Sequence, residues 1–153
     1  MGIRRQARVC ALQLLFQWDV QGAAEHWLAD YWSHHPVAPE VRRFAEQLVE
    51  GVIAHRDELD QLIGAVAINW TVARMPIVDR NILRIGLFEL LWLPDVPARV
   101  TVNEAIELAK QFADDETRRF VNGVLDKVLK VDPRLAKKRS ELTAESVPVR
   151  QDP

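Results

Sequence analysis

The whole chain contains one cysteine, Cys10, so neither an intrachain disulfide nor a cysteine-based metal site is open to it. No apolar run approaches the roughly 18 residues of a membrane-spanning helix, and no charged-then-apolar leader ends in a cleavage signal. These absences predict a cytoplasmic protein with no membrane span and no secretion signal. Catalytic patterns are missing as well. There is no G-x-x-x-x-G-K-[ST] loop to cradle phosphate and no strand-then-glycine dinucleotide fingerprint. His34 and His35 are adjacent, about 100° apart on a helix, and cannot share a metal as histidines at i, i+4 can. His26 with Asp30 and His55 with Asp57 are near-misses of the kind that usually form surface pairs, and serine is scarce and never in a nucleophile elbow. No catalytic residue, metal or cofactor is expected. The chain reads as a binder.

What is present is a chain of 153 residues, 48% apolar and 27% charged, enough for one domain with a sizeable core. The formal net charge of −2 hides an uneven distribution. Residues 1–8 carry Arg4, Arg5 and Arg8 with no acid, a charge of +3, and residues 127–150 carry +4. The stretch 9–126 between them carries −8. An acidic body with basic ends is poorly suited to coating nucleic acid, yet a basic arm can still hold phosphate locally. Equally, terminal charges can do no more than solvate frayed ends.

With only six glycines and apolar spacings of three and four throughout, the pattern predicts an all-α protein. Ile3, Ala7, Cys10, Ala11, Leu14, Leu15 and Trp18 form one stripe of a helix from Ile3 to about Gln21, closed by Gly22. A shorter helix covers about Glu25 to His34. Pro39 suits a first helical position, and one long helical stretch is predicted from there towards Trp70, with Gly51 and Gly64 as candidate bends. Met75–Pro76 breaks the pattern. A helix from about Pro76 to Leu93, apolar around most of its girth, is expected to be the central and most buried one. Thr101 with Glu104 reads as a capping box opening a helix to about Phe112, and Asp114 and Asp115 cap a last one from about Glu116 to Val131. The expectation is a compact bundle of about seven helices in two small subdomains, jointed near Met75–Pro76. Residues 1–133 form the helical domain, and 134–153 are read as a mobile basic tail.

Two helices have back faces that need an explanation. On the first, Arg5, Val9, Leu12 and Phe16 lie opposite the apolar stripe, with Arg8 at the edge. They either pack against a second layer of helices or form a contact strip. In the second case guanidinium groups would hold phosphates and an aromatic ring would stack on an unpaired base. On the last helix, Gly123 costs about 1 kcal/mol relative to alanine, which points to something approaching the backbone there, either a helix or a ligand. Phe112 and Phe120 flank the acidic turn Asp114–Glu116 and are read as closing the core or as stacking on bases.

Five blocks, R-R-Q-A-R-V-C-A-L-Q-L-L-F at 4–16, D-R-N-I-L-R-I-G-L-F-E-L at 79–90, D-V-P at 95–97, N-E-A-I-E-L-A-K-Q-F at 103–112 and F-V-N-G-V-L-D-K at 120–127, together resemble the NusB transcription antitermination family. The likeness spans about residues 3–131, in order. It implies an all-helical fold of two small bundles, no catalysis, and binding to the boxA element of nascent ribosomal RNA. The implied partners are a ribosomal small-subunit protein also called NusE, other Nus factors and RNA polymerase. Residue by residue, it implies RNA contact at Arg4, Arg5, Arg8, Phe16, Phe112, Phe120 and Asn122, and contact with the ribosomal partner at Asp79, Arg80 and Glu116. Gln6 stands where the family has an arginine, so the arm is one charge short. Phe16 stands where the family often has tyrosine, keeping the stacking face without the hydroxyl.

Two rivals remain at this point. RNA cytosine methyltransferases can carry a NusB-like targeting domain, but such a chain continues into a Rossmann-like domain binding S-adenosylmethionine, and this one ends at Pro153. That reading requires a fragment. The other rival is a purely protein-binding or homodimeric helical scaffold.

Overall fold

The structure, a computed structural model, describes residues 1–146, and among these the chain is helical with no strand. Helix α1 (Ile3–Gln21) has the extent its apolar spacing predicts and buries Ala7, Cys10, Ala11, Leu14 and Leu15. It ends where Gly22 takes φ 79°, a backbone conformation in which a side chain would be strained. Helix α2 (Trp27–His34) is short, with Tyr31 and Trp32 turned into the core. Tyr31 Oη donates to Gln13 Oε1 at 2.6 Å and Trp32 Nε1 to Glu46 Oε1 at 2.9 Å, so both buried rings have their polar ends satisfied.

The long stretch predicted from Pro39 is two helices, α3 (Pro39–Ala54) and α4 (Arg56–Val66). The break is at His55, whose φ of −110° and ψ of 17° leave the helical region. Neither glycine makes the bend. Asp57 and Glu58 occupy the first turn of α4, where carboxylates oppose the free N–H dipoles of a new helix. Gly51 has a different role: a Cβ there would clash with the Cζ end of the Phe88 ring, so the glycine lets that ring pack closely on α3. Gly64 lies inside α4 in open space.

After a 3₁₀ turn at Val72–Arg74 the chain enters α5 (Ile77–Trp92), followed by α6 (Ala98–Phe112) and α7 (Asp115–Val131). Every residue from Asn81 to Leu90 is buried. Helix α5 packs against α1, α3 and α4 on one side and α6 and α7 on the other, which makes it the common wall of the two halves. Its girth is apolar because both sides are covered. Asp114 caps α7 as expected, accepting from the Thr117 backbone N–H at 2.8 Å. The capping box at Thr101 and Glu104 does not form. Helix α6 starts three residues earlier, after Pro97, which places Thr101 in its interior with its hydroxyl turned to Glu89.

A second departure concerns the chain beyond residue 133. A 3₁₀ turn, Pro133–Leu135, and helix α8 (Ala136–Ser146) lie where a mobile tail is read from composition. Leu135 is 1% exposed, and Lys138 Nζ donates to the carbonyls of Glu89 and Leu93 at 2.9 and 2.8 Å, closing the free C-terminal end of α5. Arg139 Nη1 does the same for Leu129 and Lys130 at the end of α7. Composition misses this because the anchoring is done by a few polar donors and one leucine. The end of the tail, residues 147–153, lies outside the described residues.

Candidate nucleic-acid and partner interface

The three arginines of the basic arm part company in three dimensions. Arg4 and Arg5 are exposed at the first turn of α1. The Arg4 guanidinium sits 4.8 Å over the Phe44 ring of α3, and Arg5 forks onto the Glu104 carboxylate of α6 at 3.0 and 3.2 Å. The Arg5 side chain is half in solvent, so the contribution of the pair to stability is small and phosphate can compete for the guanidinium. Arg8 is 2% exposed and donates two bonds, 2.9 and 2.7 Å, to the equally buried Glu89 of α5. Thr101 of α6 completes the shell of Glu89 at 3.1 Å. Arg8 therefore joins α1 to the central helix and offers no donor to the surface. One turn separates it from Arg4 and Arg5, and the facing carboxylate decides its fate.

Phe16 is 42% exposed, on the outer face of α1 that also carries Arg5. The two are separated by about 16 Å along the axis. Of the back-face residues, Leu12 is buried and Val9 half-buried, so packing explains those two and leaves Phe16 unexplained by the core.

The second assembly lies between the start of α5 and the start of α7. A cleft of about 200 Å³ is lined by Trp70, Met75, Pro76, Asp79, Asp114, Glu116, Thr117 and Phe120. Asp79 and Glu116, 37 residues apart in sequence, meet here with Asp114. Burial, and after it the charges of Asp114 and Glu116, push the Asp79 carboxyl above its ordinary range, against the lowering effect of the Thr117 hydroxyl bond. Asp114 is held low by its bonds from Thr117. An acidic cleft with an apolar floor is suited to a cationic side chain of a partner, whose charge the three carboxylates would balance.

Phe120 lines this cleft, half-buried and 6.5 Å from the Trp70 ring. It thus sits with the acidic residues and not with the arm. Phe112 is half-buried at the last turn of α6 against the core. Asn122 is exposed on α7, about 160° around the helix from Phe120, so the two cannot present one surface. Arg80 points away from the cleft. It clamps Asp19 of α1 at 2.7 and 2.6 Å, and Asp19 also accepts from Asn81 and Arg84, while Arg84 forks onto Asp60 of α4. Burial pushes the Asp19 carboxyl up, but the bonds from Arg80 and Asn81 and the two arginine charges outweigh it and hold it at about 2. This network ties α1, α4 and α5 together. Sequence reasoning misses Trp70, Asp114 and the network, since only the fold brings their members within reach.

Comparison with known proteins adds an independent finding. The NusB family model matches residues 5–130. The transcription antitermination protein NusB of Myxococcus xanthus is 47% identical over 133 residues, covering 84% of this chain and 95% of that one. Its namesake from Thermobifida fusca is 41% identical over 135 residues, covering 88% and 94%. Among solved structures, T. maritima NusB superposes with a TM-score of 0.78 at 30% identity, over 90% of this chain and 96% of that one. A structure of the antitermination factors NusB and NusE in complex with double-stranded RNA gives 0.77 at 29% identity, over 85% and 98%.

Proposed function

The chain belongs to the NusB family, and we propose that it is a non-catalytic antitermination factor that binds boxA-type RNA of nascent ribosomal transcripts jointly with the ribosomal protein NusE. In this reading the assembled complex with other Nus factors and RNA polymerase resists premature termination. The observation that carries the RNA part is the outer face of α1. Arg4 and Arg5 stand free enough to exchange Phe44 and Glu104 for phosphates, and Phe16 stands exposed on the face that carries Arg5. A planar guanidinium holds phosphate bidentately and an exposed ring stacks on a base, so one face supplies both kinds of contact. Asp79 and Glu116 in the acidic cleft are our proposed contacts for a basic side chain of the ribosomal protein. Arg80 contributes by fixing the start of α5 through Asp19.

A gel-shift titration of boxA-like single-stranded RNA, with and without the ribosomal protein, tests this. We expect the pair to shift boxA-like RNA at lower concentration than a scrambled control. Arg4→Ala with Arg5→Ala should weaken binding and lower the slope of log affinity against log salt by roughly 0.7 per lost phosphate contact. Equal shifts of both RNAs, with and without the partner, would sink the reading.

A further inference from the structure

Gly123 has no reason within the fold to be glycine. It lies in the interior of α7, where glycine weakens a helix. A Cβ added there would meet nothing within 4 Å, and Gly22 is the sole glycine with positive φ among the described residues. No neighbouring helix comes close. The backbone is instead bare to a groove of about 330 Å³ between the 66–70 segment and α7.

The lining of this groove has one charge sign. Arg119 and Lys127 are exposed, no carboxylate lines it, and neither cation forms an ion pair among the described residues. Arg119, Gly123 and Lys127 are spaced four apart, so they form a single ridge with bare backbone between two cations. Trp70, nearly half exposed, and the strongly exposed Ile68 make the facing wall. Trp70 and Phe120 are shared with the acidic cleft, so this aromatic pair divides a cation-accepting site from an anion-accepting one.

We propose that the groove carries a stretch of single-stranded RNA outside the segment held by α1. Arg119 and Lys127 take phosphates, the sugar–phosphate chain passes over Gly123, and a base lies on the indole of Trp70. An acidic peptide would satisfy the cations, but a half-exposed indole beside cations with no ion pair among the described residues is the combination that single-stranded nucleic acid uses. The inference rests on the RNA-binding reading and extends the path of the strand to a second face.

Fluorescence anisotropy on the full chain tests it with two probes, a short boxA-like RNA and the same RNA extended by oligouridine at both ends. Wild type should bind the extended probe roughly fivefold more tightly or better, the gain a stacked base and added phosphate contacts supply. Gly123→Leu should melt no lower than wild type, because the space is open, yet lose that gain while still binding the short probe. Arg119→Ala with Lys127→Ala, and Trp70→Ala alone, should lose it too. An equal gain in wild type and all three variants overturns the groove and leaves the α1 reading standing. No binding of either probe by wild type, alone or with the ribosomal protein present, refutes the RNA reading and the groove with it. Polyglutamate that displaces the extension as well as oligouridine does, without dependence on Trp70, reassigns the groove to an acidic protein segment and overturns the proposal.

Discussion

Replacing Arg8 by alanine separates the two roles that an arginine in a basic arm can have. Arg8 and Glu89 have side chains 3% and 1% exposed and are joined by two short bonds. Removing Arg8 leaves the Glu89 carboxylate buried with the Thr101 hydroxyl alone as donor, because Lys138 bonds the Glu89 backbone carbonyl. Breaking a buried pair at one end costs about 3–5 kcal/mol. For a chain of this size that lowers the melting temperature by roughly 6–20 °C. Arg8→Met with Glu89→Leu removes both charges and should recover most of the loss, since a buried ion pair is often no more stabilising than apolar groups of similar volume. Urea unfolding by circular dichroism gives the two stabilities, and RNA titrations against salt on the double variant give the other half. Its salt slope should equal that of wild type, because Arg8 offers nothing to phosphate. A cost below about 1 kcal/mol for Arg8→Ala, or a slope reduced by roughly 0.7 in the double variant, would refute the reasoning.

Phe16→Ala should cost less than about 1 kcal/mol of stability, in keeping with its exposure, while weakening RNA binding by about 1–3 kcal/mol; chemical denaturation and anisotropy measure the two. The low folded-state value of Asp19 implies a contribution to stability that is complete above the ordinary aspartate range, near pH 4, and is lost as pH falls towards 2. Melting temperatures of wild type and Asp19→Asn should therefore differ most at neutral pH and converge towards pH 2; a constant difference would contradict the assignment. Leu135→Ala should cost about 2–5 kcal/mol if the segment after α7 is packed as the structure has it, and close to nothing if that segment is a free tail.

The periodicity of apolar residues was sufficient to place α1, α5 and α7, because each has a stripe or girth that no other element type accommodates. It did not resolve the break between α3 and α4. The stripe continues across His55, and the real signal is the pair Asp57–Glu58 at a new N-terminus. Thr101–Glu104 satisfies the local rule for a cap, but both side chains are claimed by distant partners, Glu89 and Arg5. Local rules lose when a buried carboxylate elsewhere needs a donor.

By itself the sequence determined the helical class, a central helix covered on two sides, an acidic body with basic ends, and the five blocks of the NusB family. Tertiary structure alone decided which arginine reaches solvent. Arg4, Arg5 and Arg8 are chemically identical and lie within two turns, and they differ only in whether a ring, a partly exposed carboxylate or a fully buried one faces them. It also decided that Asp79, Asp114 and Glu116 form one cleft and that Gly123 opens onto another. The physical reason is the same throughout. Burial and hydrophobic spacing are written locally along a helix, whereas a charge acquires its role from the partner that the fold brings to within about 3 Å.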